Sequence, residues 1–167
     1  LRVLNQEVLA PGASFQPRTY PKVDILNIIL EGEAEYRNSE GHHVQAKAGE
    51  ALLISTQQGI SYSEHNLSKD KSLTRMQLWL DACPERENHL IQKVDIADAS
   101  RQLLASPDGA EGSLQLRQQV WIHHIELKKG ENARFRINGP RAYLQSIHGT
   151  VHAQTQALEK GALTCGD

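Results

Sequence analysis

Asp24 to Gly32 reads DILNIILEG, and Gly49 to Thr56 reads GEALLIST. In the first stretch Ile25 to Leu30 is a nearly continuous apolar run of six residues. It is too short for a helix of ordinary length, is rich in β-branched Ile and ends on Glu31-Gly32, so it reads as a buried strand. The second stretch opens on a glycine and runs apolar again from Ala51 to Ser55. A polar hairpin separates the two. That rhythm predicts neighbouring staves of a small antiparallel barrel.

Working outward, Arg2 to Leu9 reads as a strand stopped by Ala10-Pro11-Gly12-Ala13. Phe15 to Tyr20 is extended and bounded by Pro17 and Pro21, both hostile to helix. Glu33 to Arg37 alternates small or aromatic with charged residues, as on a strand with one wet face. Asn38-Ser39-Glu40-Gly41 turns the chain and His43 to Ala46 returns. Lys47 to Glu50 turns again, Ile60 to Glu64 is short and extended, and Leu73 to Leu80 (LTRMQLWL) alternates. Closely spaced strands of this kind predict closure into a sandwich or barrel.

Residues 82–112 read differently, as a connection between two domains covering 1–81 and 113–167. Cys83-Pro84 breaks the strand, a polar stretch follows, and Asp98 to Leu104 is expected as a short helix capped by Asp98. Ser106-Pro107-Asp108-Gly109 is a turn. The strand grammar then returns in SLQLRQ, VWIHHIEL, ARFRI, AYLQSIHG, TVHAQT and ALT. Turns at Lys129-Gly130-Glu131, Asn138-Gly139-Pro140, Gly149 and Lys160-Gly161 separate them. The repetition implies an internal duplication and hence two tandem barrels. The chain opens at Leu1 and stops on Cys165-Gly166-Asp167, so both ends read as truncated and the second barrel as incomplete.

Composition excludes several classes of function. The 167 residues carry 39% hydrophobic and 23% charged residues and a net charge of −2, ordinary for a globular protein. There is no long basic run and aromatics are 5%, so no nucleic-acid partner is expected. No apolar run reaches the roughly 20 residues of a membrane helix. The start has no charged leader before an apolar core, so a cytoplasmic location is expected. Cys83 and Cys165 form no CxxC; two free thiols are the reading and one disulfide the alternative.

Several segments together resemble the pirin family of bicupins. They are LEG at Leu30 to Gly32, EYRNSEG at Glu35 to Gly41, GEALLIST…GISYSEHN at Gly49 to Asn66, and QLWLD at Gln77 to Asp81. ASPDGAEGSL at Ala105 to Leu114 and LKKGE at Leu127 to Glu131 continue the likeness. The resemblance implies an all-β fold of two tandem cupin barrels. It also implies a metal in the first barrel, held by a His-x-His pair, a third His and a Glu. Its relatives include quercetin 2,3-dioxygenases, which open a flavonol ring with metal-activated dioxygen, and eukaryotic pirins acting as iron-dependent transcription cofactors.

Counting back from Leu30-Glu31-Gly32 puts the first two ligand positions on Arg18 and Tyr20, with Asp24 where a family carboxylate lies. Counting from Gly59 puts the third on Tyr62, and only Glu64 keeps its residue type. Arg offers no lone pair to a cation. Tyr binds Fe(III) only as phenolate, with a reference pKa of about 10. The expectation is therefore a barrel with no metal, in which Arg18 pairs with Glu64 or Asp24 and the phenols of Tyr20 and Tyr62 hydrogen-bond around them. That pocket either only satisfies itself or takes a small anion or carboxylate. The alternative is an iron site of two Tyr and a Glu.

The histidines offer little replacement. His42 and His43 sit on a hairpin, and His65 faces away from Tyr62 and Glu64 on a strand. His123 or His124 with His148 and His152 is the remaining cluster. Cys83 stands at a strand end between Asp81 and Arg86; it reads first as an incidental thiol, and the sharper alternative is a redox-sensitive thiol that oxidises to sulfenic acid. Cys165, inside ALTC, reads as buried. The resulting expectation is a monomeric, metal-free, cytoplasmic binding or redox and stress-sensing protein without quercetinase activity. The alternative is a quercetin 2,3-dioxygenase-type oxidoreductase with non-standard metal ligands.

Overall fold

The computed structural model describes residues 1–137, 141–156 and 162–166, with side chains described through residue 154. The strands are β1 (Val3–Leu9), β2 (Ser14–Thr19), β3 (Val23–Glu31), β4 (Glu33–Asn38), β5 (His43–Lys47), β6 (Glu50–Ser55), β7 (Ser61–Asn66) and β8 (Leu73–Asp81). They continue with β9 (Ile91–Asp95), β10 (Arg101–Ser106), β11 (Leu114–Gln115), β12 (Ile122–Ile125), β13 (Ala133–Arg136), β14 (His152–Gln156) and β15 (Ala162–Gly166). The architecture is all-β. No helix among the described residues is long and apolar enough to cross a membrane.

The chain packs as two units, one of Leu1–Asp98 with Gln102–His124 and one of Ala99–Arg101 with Ile125–Asp167. In the first, a sheet ordered β1-β8-β3-β6-β9 faces a sheet ordered β2-β7-β4-β5. The core between them joins Val23, Ile25 and Ile29 of β3 and Leu52 and Ile54 of β6 to Tyr36 of β4 and Tyr62 of β7. β3 is buried from Val23 to Ile29, on both faces, which explains its near-continuous apolar sequence. Val23, Ile25, Asn27 and Ile29 point inward; Asp24, Leu26 and Ile28 point the other way. Gly32, at φ +80, lets the chain turn between β3 and β4. A Cβ there would sit 2.5 Å from the Ser72 carbonyl oxygen.

The stretch 82–112 differs from the expected connection. Ile91–Asp95 adds β9 to the edge of β6, and residues 102–124 pack with the first unit. The helix expected over Asp98 to Leu104 is absent: Arg101–Ser106 is a strand that buries Leu104 and Ala105. A helix of that length has too few hydrogen bonds to stand alone. Here the Gln102 side chain instead ties the chain back, accepting from the Ala97 N–H and donating to the Asp95 carbonyl.

In the second unit β15 lies between β13 and β14, pairing antiparallel with both. The strand expected at AYLQSIHG is not formed: residues 141–150 are irregular, with Tyr143 and Leu144 exposed. The turns expected at Asn138-Gly139-Pro140 and Lys160-Gly161 lie outside the described residues, as does the Cys165 side chain.

Candidate functional site

Register assembles the pocket. β1 lays Val3, Asn5 and Glu7 opposite Trp79, Gln77 and Arg75 of β8. β3 lays Ile25, Asn27 and Ile29 against the same three residues from the other side. Across the barrel, β7 sets Tyr62 beside Arg18 and Glu64 beside Phe15 of β2, with Tyr36 of β4 opposite Glu64. β2 shifts register between Phe15 and Arg18, around Pro17, as expected where proline removes a ladder donor on an edge strand. These inward side chains line a cavity of about 180 Å³ within the first unit.

A buried ion pair forms its floor. Arg75 donates from Nε to Glu64 Oε1 and from Nη2 to Glu64 Oε2, both at 2.6 Å. The Tyr36 hydroxyl donates to the same Oε1 at 2.8 Å. Arg75 Nη1 lies 2.8 Å from Glu7 Oε2, an ion pair too oblique for a hydrogen bond. Arg75 and Glu64 are 2% and 6% exposed, so the pair is held in a medium where each charge needs the other. Burial works against the Arg75 charge, but the hydrogen bonds and charge of Glu64 outweigh it and raise its pKa. Burial, then the Glu64 charge, pushes the Tyr36 phenol well above its ordinary 10.0.

The wall is aromatic. Tyr20 meets Trp79 edge-on at 5.1 Å and Tyr62 at 6.5 Å between ring centroids. Phe15 lies under both the Arg18 and Arg75 guanidinium carbons, at 5.9 and 5.8 Å. Burial raises the Tyr20 and Tyr62 pKa values above 10.0, so both remain protonated hydroxyls at neutral pH. The Tyr62 hydroxyl makes no well-formed hydrogen bond. Its polar neighbour is Asn38, whose Oδ1 is already taken by the Glu40 and His42 N–H groups.

The expected pairings are therefore redistributed. Glu64, Tyr20, Tyr62 and Arg18 do meet at one cavity. Glu64 pairs with Arg75 rather than Arg18, which is exposed on its open side. Asp24 is not in the pocket: it alternates with Ile25 onto the opposite face of β3 and is wholly buried there. Arg117 meets it, donating from Nε to Oδ1 at 2.8 Å and from its backbone N–H to Oδ2 at 2.6 Å. The same guanidinium donates to the Val23 carbonyl at 2.8 Å and to the Thr56 carbonyl.

Reading the sequence missed Arg75 and Arg117. LTRMQLWL carries the first signal: Leu73, Arg75, Gln77 and Trp79 share a face, and that face is the inner one. Arg117 has no local signal, because its partner lies 93 residues away.

His42 and His43 are exposed, His65 accepts or donates at 2.9 Å to Ser63 Oγ on the outer face, and His148 and His152 are exposed. Among the described residues no group of three or more His, Cys, Asp and Glu converges as a metal site. Cys83 is partly exposed; its Sγ donates to Gln118 Oε1 at 3.5 Å, and its backbone N–H donates to the Arg117 carbonyl at 2.8 Å.

Residues 2–80 match the family model Pirin, and residues 103–163 match that of the quercetinase C-terminal cupin domain. The chain is 77% identical to the pirin-like protein YhaK of Escherichia coli K12, over all of this chain and 72% of that protein. It is 33% identical to quercetin 2,3-dioxygenase of the same strain, over 90% of this chain and 66% of that one. The crystal structure of E. coli YhaK superposes with a TM-score of 0.89 over 98% of this chain and 72% of that one, at 77% identity. That of the E. coli bacterial pirin YhhW in complex with nickel(II) gives 0.82 over 99% and 73%, at 28% identity.

Proposed function

This chain belongs to the pirin family, and we propose that its first barrel binds a small anion or carboxylate without a metal and carries out no quercetin oxidation. The observation that carries this is the state of Glu64. It is the one position keeping the family's ligand type, and both its oxygens are committed to Arg75, one of them also to Tyr36. A divalent cation at Glu64 would have to displace a buried guanidinium. The other positions fit no better. Arg18 is a fixed cation, and Tyr20 and Tyr62 are phenols that burial keeps protonated, whereas Fe(III) needs phenolate. Arg18 instead has no carboxylate partner among the described residues, which leaves its charge available to a ligand.

The protein is proposed to work in the cytoplasm, where Cys83 as a free thiol would give it a second, redox-sensing role. The test of the first-barrel reading is elemental analysis of the purified chain, with oxygen uptake on quercetin after adding Fe, Ni, Cu, Zn or Mn. Substoichiometric metal and no uptake are expected. One tightly bound metal per chain, or metal-dependent uptake, overturns the reading. The second reading, a quercetin 2,3-dioxygenase, is favoured by the 33% identity to the protein of that name.

A further inference from the structure

One hydrogen-bonded relay in the cavity serves neither the ion pair nor the core. Trp79 Nε1 donates to Gln77 Oε1 at 2.7 Å, and Gln77 Nε2 donates to Asn27 Oδ1 at 2.7 Å. The direction is fixed by chemistry. An indole N–H only donates, so Gln77 must present its oxygen to Trp79 and its nitrogen to Asn27. Asn27 must then present its oxygen to Gln77. The free end is therefore Asn27 Nδ2, wholly buried, lining the cavity and without a partner. Three residues on adjacent strands are spent aiming one N–H donor into a cavity that has the aromatic wall on one side and the Arg75–Glu64 pair on its floor. Across the barrel the Tyr62 ring lines the cavity, while its hydroxyl faces Asn38, Glu40 and Arg117. Arg18, its cross-strand neighbour, adds a positive charge at the open side.

Size limits what fits. At about 180 Å³ the cavity is near the ~150 Å³ that holds a benzene ring and below the ~300 Å³ at which drug-sized sites begin. A flavonol, with its fused ring pair and pendant ring, exceeds it. The walls favour a flat apolar body, since Tyr20, Tyr62 and Trp79 already present faces and edges at stacking distances.

We infer that the first-barrel cavity is a site for a one-ring aromatic carboxylate bearing a ring oxygen, the hydroxybenzoate class. The carboxylate meets Arg18, the ring lies against Tyr20 and Trp79, and the ring hydroxyl oxygen accepts from Asn27 Nδ2. The inference rests on the metal-free anion-binding reading and adds to it a ring and a second polar contact.

Calorimetric titration of the chelator-treated full chain with 4-hydroxybenzoate, benzoate, acetate and quercetin tests it. 4-Hydroxybenzoate should bind about tenfold or more tighter than acetate, and Arg18→Gln should weaken it about tenfold. Asn27→Val should bring 4-hydroxybenzoate and benzoate to nearly equal affinity. If Asn27→Val does not fold, Gln77→Leu, which releases the amide from its alignment, should narrow the same preference. Equal, Arg18-dependent binding of acetate and 4-hydroxybenzoate overturns the ring inference and leaves the anion reading standing. Quercetin binding as tightly as 4-hydroxybenzoate overturns the size argument. No binding of any of the acids overturns both readings.

Discussion

Asp24 and Arg117 form the most heavily committed polar contact in the first unit, and breaking it should be costly in a diagnostic way. Both side chains are at most 1% exposed. Asp24→Ala removes the acceptor of the Arg117 Nε and backbone N–H groups and of the Ser55 hydroxyl. The guanidinium keeps the Val23 and Thr56 carbonyls but loses its counter-charge. Stranding one partner of such a pair costs about 3–5 kcal/mol. Arg117→Ala strands the carboxylate and should cost a similar amount. The double variant should cost little more than either alone, a coupling of about 3 kcal/mol, because once one charge is gone the other is only a liability. Urea unfolding followed by tryptophan fluorescence gives the magnitudes. With a slope of about 1–3 kcal/mol/M, each single variant should move the midpoint down by more than about 1 M. Arg2→Ala supplies the control: its ion pair with Asp81 is half exposed and should be worth no more than about 1 kcal/mol. Losses below about 1 kcal/mol for both single variants, or strictly additive losses, would refute the reasoning. The clasp also holds the segment that contacts Cys83, so Arg117→Ala should quicken alkylation of that thiol.

Three further outcomes are expected. Restoring the family's histidines as Arg18→His, Tyr20→His and Tyr62→His together should give only weak nickel binding while Arg75 holds Glu64. Adding Arg75→Leu should tighten it by about tenfold or more, read by competition with a chromophoric chelator. On the outer face, hydrogen bonding from Arg37 holds the Glu35 carboxyl below its ordinary 4.5, with Gln45 and the His43 charge assisting. A depressed carboxylate stabilises the fold above 4.5, and that contribution is lost as pH falls through its folded value. Glu35→Gln should therefore flatten the loss of urea stability between pH 5 and 3, about the range over which such a group titrates; an unchanged profile contradicts the assignment. Dimedone labelling after mild peroxide should mark Cys83, and labelling elsewhere or nowhere removes the redox role.

The sequence disclosed the barrel better than the pocket, for a reason visible in β3 and β8. Strand existence follows from local periodicity and turn chemistry, so DILNIILEG, GEALLIST and LTRMQLWL announce themselves. Partnership does not, because Glu64 could meet Arg18 or Arg75 with equal ease until register is known. Cross-strand register places Arg18 beside Tyr62 on an edge strand and Arg75 on the opposite sheet, where its fork reaches the carboxylate from inside. Asp24 lies outside the pocket for a related reason. A count from Glu31-Gly32 gives position along β3 but not its face, and a strand buried on both sides offers two polar destinations. Asn27 is legible in the run itself. A polar side chain inside an otherwise continuous apolar run is the informative residue, because burying an amide demands a partner for each of its atoms. Its oxygen finds Gln77 and its nitrogen finds none. On the proposed anion-binding reading, that asymmetry makes this stave one wall of the site, with a donor facing the ligand's acceptor.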